Sequence, residues 1–510
     1  MNTTTHAKYT NANKPIRREA MPPPKSSSPI VQTMAGAVLG REKNGVFQFN
    51  GIPYAAAPIG PLRFQRAMPV RPWQDIREAT RFGPAAPQIP SGGMTDRVPV
   101  RWDEDCLFLN VCTPNIDSLK RPVLVWIHGG AYRTGQAAIP WYNGSSFASN
   151  GNIVVVSINY RLGALGFTDL SEFGADYATS GINGILDQIT ALEWVRDNIG
   201  FFGGDPDQVT IAGESAGGFS VTTLLGSERA QGLFHRAIPQ SGAAHHTLPK
   251  TTGQQVTELF KKELNANSLQ QLQAARVMDI LEAQDRASMK FEKSGAGRGV
   301  QAFYPVEGNE VISTTLLKAI KSGVGAPVPV LIGTNKDEAS LFIMNDVSAA
   351  QLERQAEGLG GGQALIDAYQ DIYPAATTTE IAIALSTDFT FKIPAIRLAE
   401  ARLTFAAETH LYQFDWESRA GNLKATHALE IPFTFNTLNS PGVAFFIGEG
   451  SLPQELADNM HQTWTAFIRG EQLDWPGYDL EQRATMHFDT QSHLVKNGEL
   501  AILAAWQSLR

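Results

Sequence analysis

The sequence predicts an α/β protein built on a central, mostly parallel, doubly wound sheet flanked by helices. Three observations carry that expectation. Residues 122–127 and 152–160 are continuous apolar runs rich in β-branched side chains, as strands buried on both faces of a parallel sheet are. Residues 183–199 repeat apolar positions at helical spacing. Residues 208–215 read as another buried strand and run straight into a helical pattern over 216–225. Strands alternating with helices in this way build parallel sheets.

The elements follow in order. Residues 1–30 are polar and Pro/Ser-rich and are expected to form a disordered tail, with a single folded domain over 31–510. The tail has no apolar stretch of the kind a secretory signal needs, and none follows the Arg17-Arg18 pair. From Gly51 to Asn110, Pro and Gly recur too often for long helices. Cys106 and Cys112 fall in DCLFLNVC, which reads as a strand. Fully extended, their Cα atoms stand about 20 Å apart, far beyond the roughly 7 Å a disulfide allows. Both are therefore expected to be buried free thiols. Later strands are predicted at 236–240, 328–333 and 410–414, and helices at 252–264, 393–407 and 455–469. Residues 265–299 are polar and helix-forming and end in KSGAGRG. They read as an insertion or cap.

Composition excludes several function classes. The 510 residues are 43% hydrophobic, enough for a large core. Lys and Arg number 42 against 50 Asp and Glu, a net charge of −8, which argues against non-specific nucleic-acid binding. No run of 18 apolar residues occurs, so no spanning helix is expected. Two cysteines exclude a disulfide scaffold and a Cys-based zinc site. A cytoplasmic location is expected, with no membrane or nucleic-acid partner and a monomer or weak homo-oligomer.

Gly213-Glu214-Ser215-Ala216-Gly217 fits the pattern GxSxG. A chain of this length yields about 0.3 such matches by chance, so the pentapeptide alone says little. Its place at a strand-to-helix junction says more, because a sharp turn there exposes the serine hydroxyl. Glycines at both ends remove β-carbons that would collide in the turn. The helix N-terminus then aims amide donors at negative charge near Ser215. The side chain of Glu214 is expected to point away from Ser215 and to be structural.

A serine nucleophile acting on a carbonyl needs an oxyanion hole. The amide of Ala216 is one candidate donor. The loop His128-Gly129-Gly130-Ala131, directly after the first buried strand, supplies Gly130 and Ala131 as the others. A general base is also required, and the chain order Ser, acid, His suits this junction type. Eight histidines follow Ser215. His235, His245 and His246 leave little room for the acid, and His410 and His461 fall inside predicted regular elements. His427 sits in a loop. Glu338 directly follows a predicted strand in GTNKDEAS, with Asp337 as its neighbouring rival. Spacing alone does not choose between them.

From about Val38 to Asp489 the sequence resembles the type-B carboxylesterases, a group that includes bacterial para-nitrobenzyl esterases and is similar to cholinesterases. The matching text includes FNGIPYAAAPIGPLRF, EDCLFLNV, VLVWIHGGAY, NYRLGALGF, ALEWVRDNIGFFGGDPDQVTIAGESAGG, IPQSG, GTNKDE and HALEIPF. The resemblance implies an α/β-hydrolase fold whose long insertions form a cap around an active-site gorge. It implies a Ser-Glu-His triad of Ser215, Glu338 and His427, and oxyanion donors at Gly130, Ala131 and Ala216. It also implies a supporting role for Ser241 in QSG. The implied activity is hydrolysis of small to medium carboxylic esters through an acyl-enzyme, with no cofactor and no metal. Candidate pocket walls are Trp141, Tyr142, Phe219, Phe303, Tyr304 and Phe391.

The chain departs from the family pattern in places. Cys106 lacks the upstream cysteine that its counterpart usually pairs with. Ala339 and Ala131 stand where relatives often carry Gly, although an alanine amide still donates. Trp102 lies too close to Cys106 to match the choline-binding tryptophan, which argues against cholinesterase activity.

Overall fold

The computed structural model describes residues 28–89, 99–295 and 300–509. The expected N-terminal tail lies mostly outside this range, but Ile30 already belongs to a strand. Among the described residues the strands are β1 (Ile30–Gln32), β2 (Ala37–Leu39), β3 (Arg41–Lys43), β4 (Val46–Pro53), β5 (Arg77–Glu78), β6 (Phe108–Thr113) and β7 (Arg121–Ile127), followed by β8 (Val154–Ile158), β9 (Gly204–Glu214), β10 (Arg236–Gln240), β11 (Val330–Asn335), β12 (Thr409–Phe414), β13 (Thr485–Phe488) and β14 (His493–Val495). Eleven of them form one sheet in the order β14-β13-β12-β11-β10-β9-β7-β8-β6-β4-β3. The strands from β13 to β8 run parallel. Antiparallel strands close both ends. β1, β2 and β5 make a small separate sheet.

The apolar runs are continuous because both faces of the sheet are covered. Val123, Val125 and Ile127 of β7 pack into one core and Leu124 and Trp126 into another. β8 divides in the same way, with Val154, Val156 and Ile158 on one face and Val155 on the other. The helix Asn183–Asn198 covers the first face. It is pinned by a buried ion pair in which Arg161 Nη2 and Nε donate to Asp187 at 2.6 and 2.7 Å.

The order of the parallel strands places the site. After β7 the chain adds β8 on one side, then crosses back to lay β9, β10, β11 and β12 on the other. The C-terminal ends of β7 and β9 therefore flank a switch point, where open α/β sheets present ligand sites.

Several elements differ from the sequence reading. Cys106 precedes β6, and Cys112 lies within it but is only partly buried. The insertion forms the helices Leu269–Ala274 and Val277–Lys293, the second packed against Lys250–Leu264. Residues 296–299 of its KSGAGRG end lie outside the described range. A third core joins the helices Ala349–Gly358, Gly362–Ile372 and Thr378–Thr387 to the C-terminal helix Leu500–Ala505. The helix expected over 393–407 ends at Arg402, and it continues a helical stretch rather than starting one.

Candidate active site

Ser215 caps the helix Ala216–Leu225 with φ 57° and ψ −122°, a strained conformation between β9 and the helix. Its neighbours make this turn possible. A β-carbon on Gly217 would lie 2.0 Å from the Ile127 carbonyl oxygen, and one on Gly213 would lie 2.6 Å from the same atom. The amide of Ser215 donates to the Gln240 carbonyl at 3.0 Å, locking the turn to β10.

The loop after β7 crosses beside this turn. Gly130 has φ 108° and Ala131 φ 53°. Their amides have no carbonyl acceptor among the described residues. Ala216 opens its helix, so no carbonyl lies one turn back to take its N–H. The loop is held from behind, where the Tyr160 hydroxyl donates to the His128 carbonyl at 2.7 Å and the two rings stack. Burial pushes His128 down to about 4, so its imidazole stays neutral.

Glu338 follows β11, and its Oε1 accepts the Asn335 amide at 2.8 Å. His427 Nδ1 donates to Glu338 Oε2 at 2.5 Å, with both side chains buried. The rival Asp337 instead accepts the Ala425 amide at 3.4 Å. A buried polar chain extends behind the pair. Asn335 Nδ2 donates to the Thr426 carbonyl at 2.6 Å and to Glu430 at 2.7 Å. Gln240 donates to Glu430 at 3.0 Å and accepts from the Trp464 indole at 3.0 Å. Ser241, with φ 47°, is bound through its amide to Gly333 at 2.9 Å. Its hydroxyl has no hydrogen-bond partner among the described residues, so the hydrogen bond that anchors it to β11 is made by backbone.

Glu214 corrects the sequence reading. Its side chain turns toward the site, and Oε1 lies 3.2 Å from His427 Nε2. Burial pushes Glu214 up to about 8, opposed by the attraction of His427. Burial also pulls His427 down, but the carboxylates of Glu214 and Glu338 outweigh it and hold the imidazolium up to about 9. Burial, with Glu338 nearby, raises Glu430 to about 6.

Ser215, Glu214 and His427 line one cavity of about 610 Å³ together with Gly130 and Ala131. Trp141, Tyr142, Phe219, Tyr304 and Phe391 are among its walls. Phe303 is not, because it is fully buried against Phe260 in the core. Sequence reasoning missed Trp126, His246, which stacks on Phe219, and Phe342, which is 62% exposed with its ring 5.4 Å from that of His427. Phe342 carried a usable signal, since it lies four residues after Glu338. Among the described residues no group of three or more His, Cys, Asp or Glu side chains is placed to hold a metal, and no helix is long and apolar enough to cross a membrane.

The model of the carboxylesterase family matches residues 27–503. The para-nitrobenzyl esterase of Bacillus subtilis is 37% identical over 91% of this chain and 95% of its own length. The phenmedipham hydrolase of Pseudarthrobacter oxydans is 34% identical over 90% of this chain and 94% of its own. A crystal structure of a Geobacillus stearothermophilus carboxylesterase superposes with a TM-score of 0.84 at 38% identity, covering 94% of this chain and all of that one. The chain thus belongs to the carboxylesterase family and is a carboxylic ester hydrolase of the α/β-hydrolase fold.

Proposed function

We propose that Ser215 is the nucleophile, His427 the general base and Glu338 the group that orients it, acting on small to medium neutral esters. The observation that carries this reading is the 2.5 Å contact between buried Glu338 and His427, made at the cavity that the strained Ser215 turn also lines. Ser215 Oγ attacks the ester carbonyl carbon as His427 Nε2 takes its proton. The amides of Gly130, Ala131 and Ala216 hold the oxyanion. The C–O bond to the leaving alcohol breaks, and His427 returns the proton to that oxygen. Water then attacks the acyl carbon, passing its proton to the same nitrogen; the bond to Ser215 Oγ breaks, the carboxylic acid leaves, and His427 returns the proton to Oγ. The apolar walls formed by Trp141, Phe219 and Phe391 favour uncharged acyl and alcohol groups. The same reading includes a cytoplasmic location, which the free thiols of Cys106 and Cys112 favour, and a monomer or weak homo-oligomer.

Covalent labelling tests the assignment. Incubation with an organophosphate should place one adduct on the peptide carrying Ser215 and abolish ester hydrolysis in proportion. Labelling at another residue, or full activity after labelling at Ser215, would contradict it.

A further inference from the structure

The segment Asp388–Lys392 is a π-helical turn between the helices Thr378–Thr387 and Ile393–Arg402, where Ile393 N–H donates to the Asp388 carbonyl. Its cause is local. Pro394 has no N–H, and its ring would clash with the carbonyl of Thr390 in a regular helix. Such widened turns are frequent at functional sites, and this one touches the site twice. Thr390 and Phe391 of the turn line the cavity, as does Ser386 in the helix before it. The Phe391 ring lies 4.9 Å from that of His427 and nearly parallel to that of Phe219. Thr387 Oγ1 also accepts the amide of Ala339, the residue after Glu338, at 3.1 Å.

Beneath the turn lies a buried ionic group that the ester chemistry does not use. Lys392 Nζ stands 3.8 Å from Asp388 and 3.6 Å from Glu499, and all three side chains are largely buried. Asp388 also accepts a hydrogen bond from the Tyr369 hydroxyl. That hydroxyl accepts the Trp506 indole N–H at 2.7 Å. Arg397 donates to the carbonyls of Trp506 and Leu509. Glu499, Trp506 and Leu509, none of which lines the cavity, thus tie the C-terminal segment to the turn and the helix after it.

We propose that Glu499 is a positioning residue for substrate selection, acting through Lys392 on the turn that presents Phe391 to the ester. Glu499 is the nearer of the two largely buried carboxylates that hold Lys392, and its loss leaves Lys392 paired with Asp388 alone, at the other end of the same turn. The turn follows that one-sided pull, and its rotation carries Phe391 with it. The proposal rests on the cavity beside Ser215 being the ester site.

The test is steady-state kinetics of wild type, Glu499→Gln, Glu499→Asp, Phe391→Leu and the double variant Glu499→Gln/Phe391→Leu. Substrates are p-nitrophenyl acetate, butyrate and octanoate, with thermal unfolding measured alongside. Glu499→Gln should raise KM for the butyrate and octanoate about fivefold or more while kcat moves by less than about twofold. Phe391→Leu should shift the chain-length preference in the same direction, and the double variant should add little, as coupled sites do. Glu499→Asp, which keeps the charge, should recover most of the wild-type KM. If Glu499→Gln does not fold, Tyr369→Phe loosens the same group through Asp388 and should give the same shift. The proposal is overturned if these variants lower the unfolding temperature but leave the chain-length profile unchanged, or if the double variant multiplies the single effects. A wild type inert on all three esters would overturn the site reading, and this proposal with it.

Discussion

Glu214 and His427 approach within 3.2 Å, Oε1 to Nε2, on the opposite side of the imidazole from Glu338. The nitrogen proposed to take the serine proton therefore faces a second buried carboxyl. The two groups titrate as a pair, so the loss of a proton from either is a property of both.

This pairing predicts a pH effect. A carboxylate beside an imidazole favours the charged imidazolium, so Glu214 raises the pH needed to obtain neutral His427. Glu214→Gln removes that charge and lowers the imidazole's affinity for a proton. The acidic limb of the kcat/KM profile should move to lower pH by about one unit or more, equivalent to about 1.4 kcal/mol. An unmoved limb would mean that Glu214 is protonated throughout the working range.

The acid has a different role, and its loss should be more severe. Glu338 accepts from Nδ1 and so fixes the tautomer that leaves Nε2 free to act as base. Glu338→Gln keeps the shape but removes the charge. A fall in kcat on the order of 10⁴-fold is expected, while thermal unfolding changes little. The same substitution at Asp337, which faces Ala425 instead, should cost about tenfold at most.

Backbone crowding at the turn gives a stability prediction. An alanine at Gly217 would place a carbon 2.0 Å from the Ile127 carbonyl oxygen. Gly217→Ala should destabilise the protein by about 1–3 kcal/mol and lower activity by displacing Ser215. Ser241→Ala should be nearly neutral in stability, because the hydroxyl it removes makes no hydrogen bond among the described residues.

Much of the fold was legible because β8 and the C-terminal parts of β7 and β9 are buried on both faces and so are mostly apolar. The turn at Ser215 was legible for a related reason, since close approach to Ile127 permits only glycine at positions 213 and 217. Glu214 was misread because an adjacent residue in a strand is assumed to face away. The strained ψ at Ser215 breaks that alternation. Phe303 was misplaced because its aromatic ring serves a core as well as a pocket, and sequence spacing carries no record of which. The helices between Ala349 and Thr387 were missed because their apolar faces meet one another and the distant Trp506 rather than the sheet.

The central claim is most directly tested by p-nitrophenyl butyrate hydrolysis by wild type and Ser215→Ala at equal concentration, with folding verified by circular dichroism. The account predicts turnover by wild type and a loss on the order of 10⁴-fold or more in a folded Ser215→Ala protein. A folded variant that retains more than about a tenth of the wild-type rate would contradict it, because hydrolysis would then not pass through Ser215.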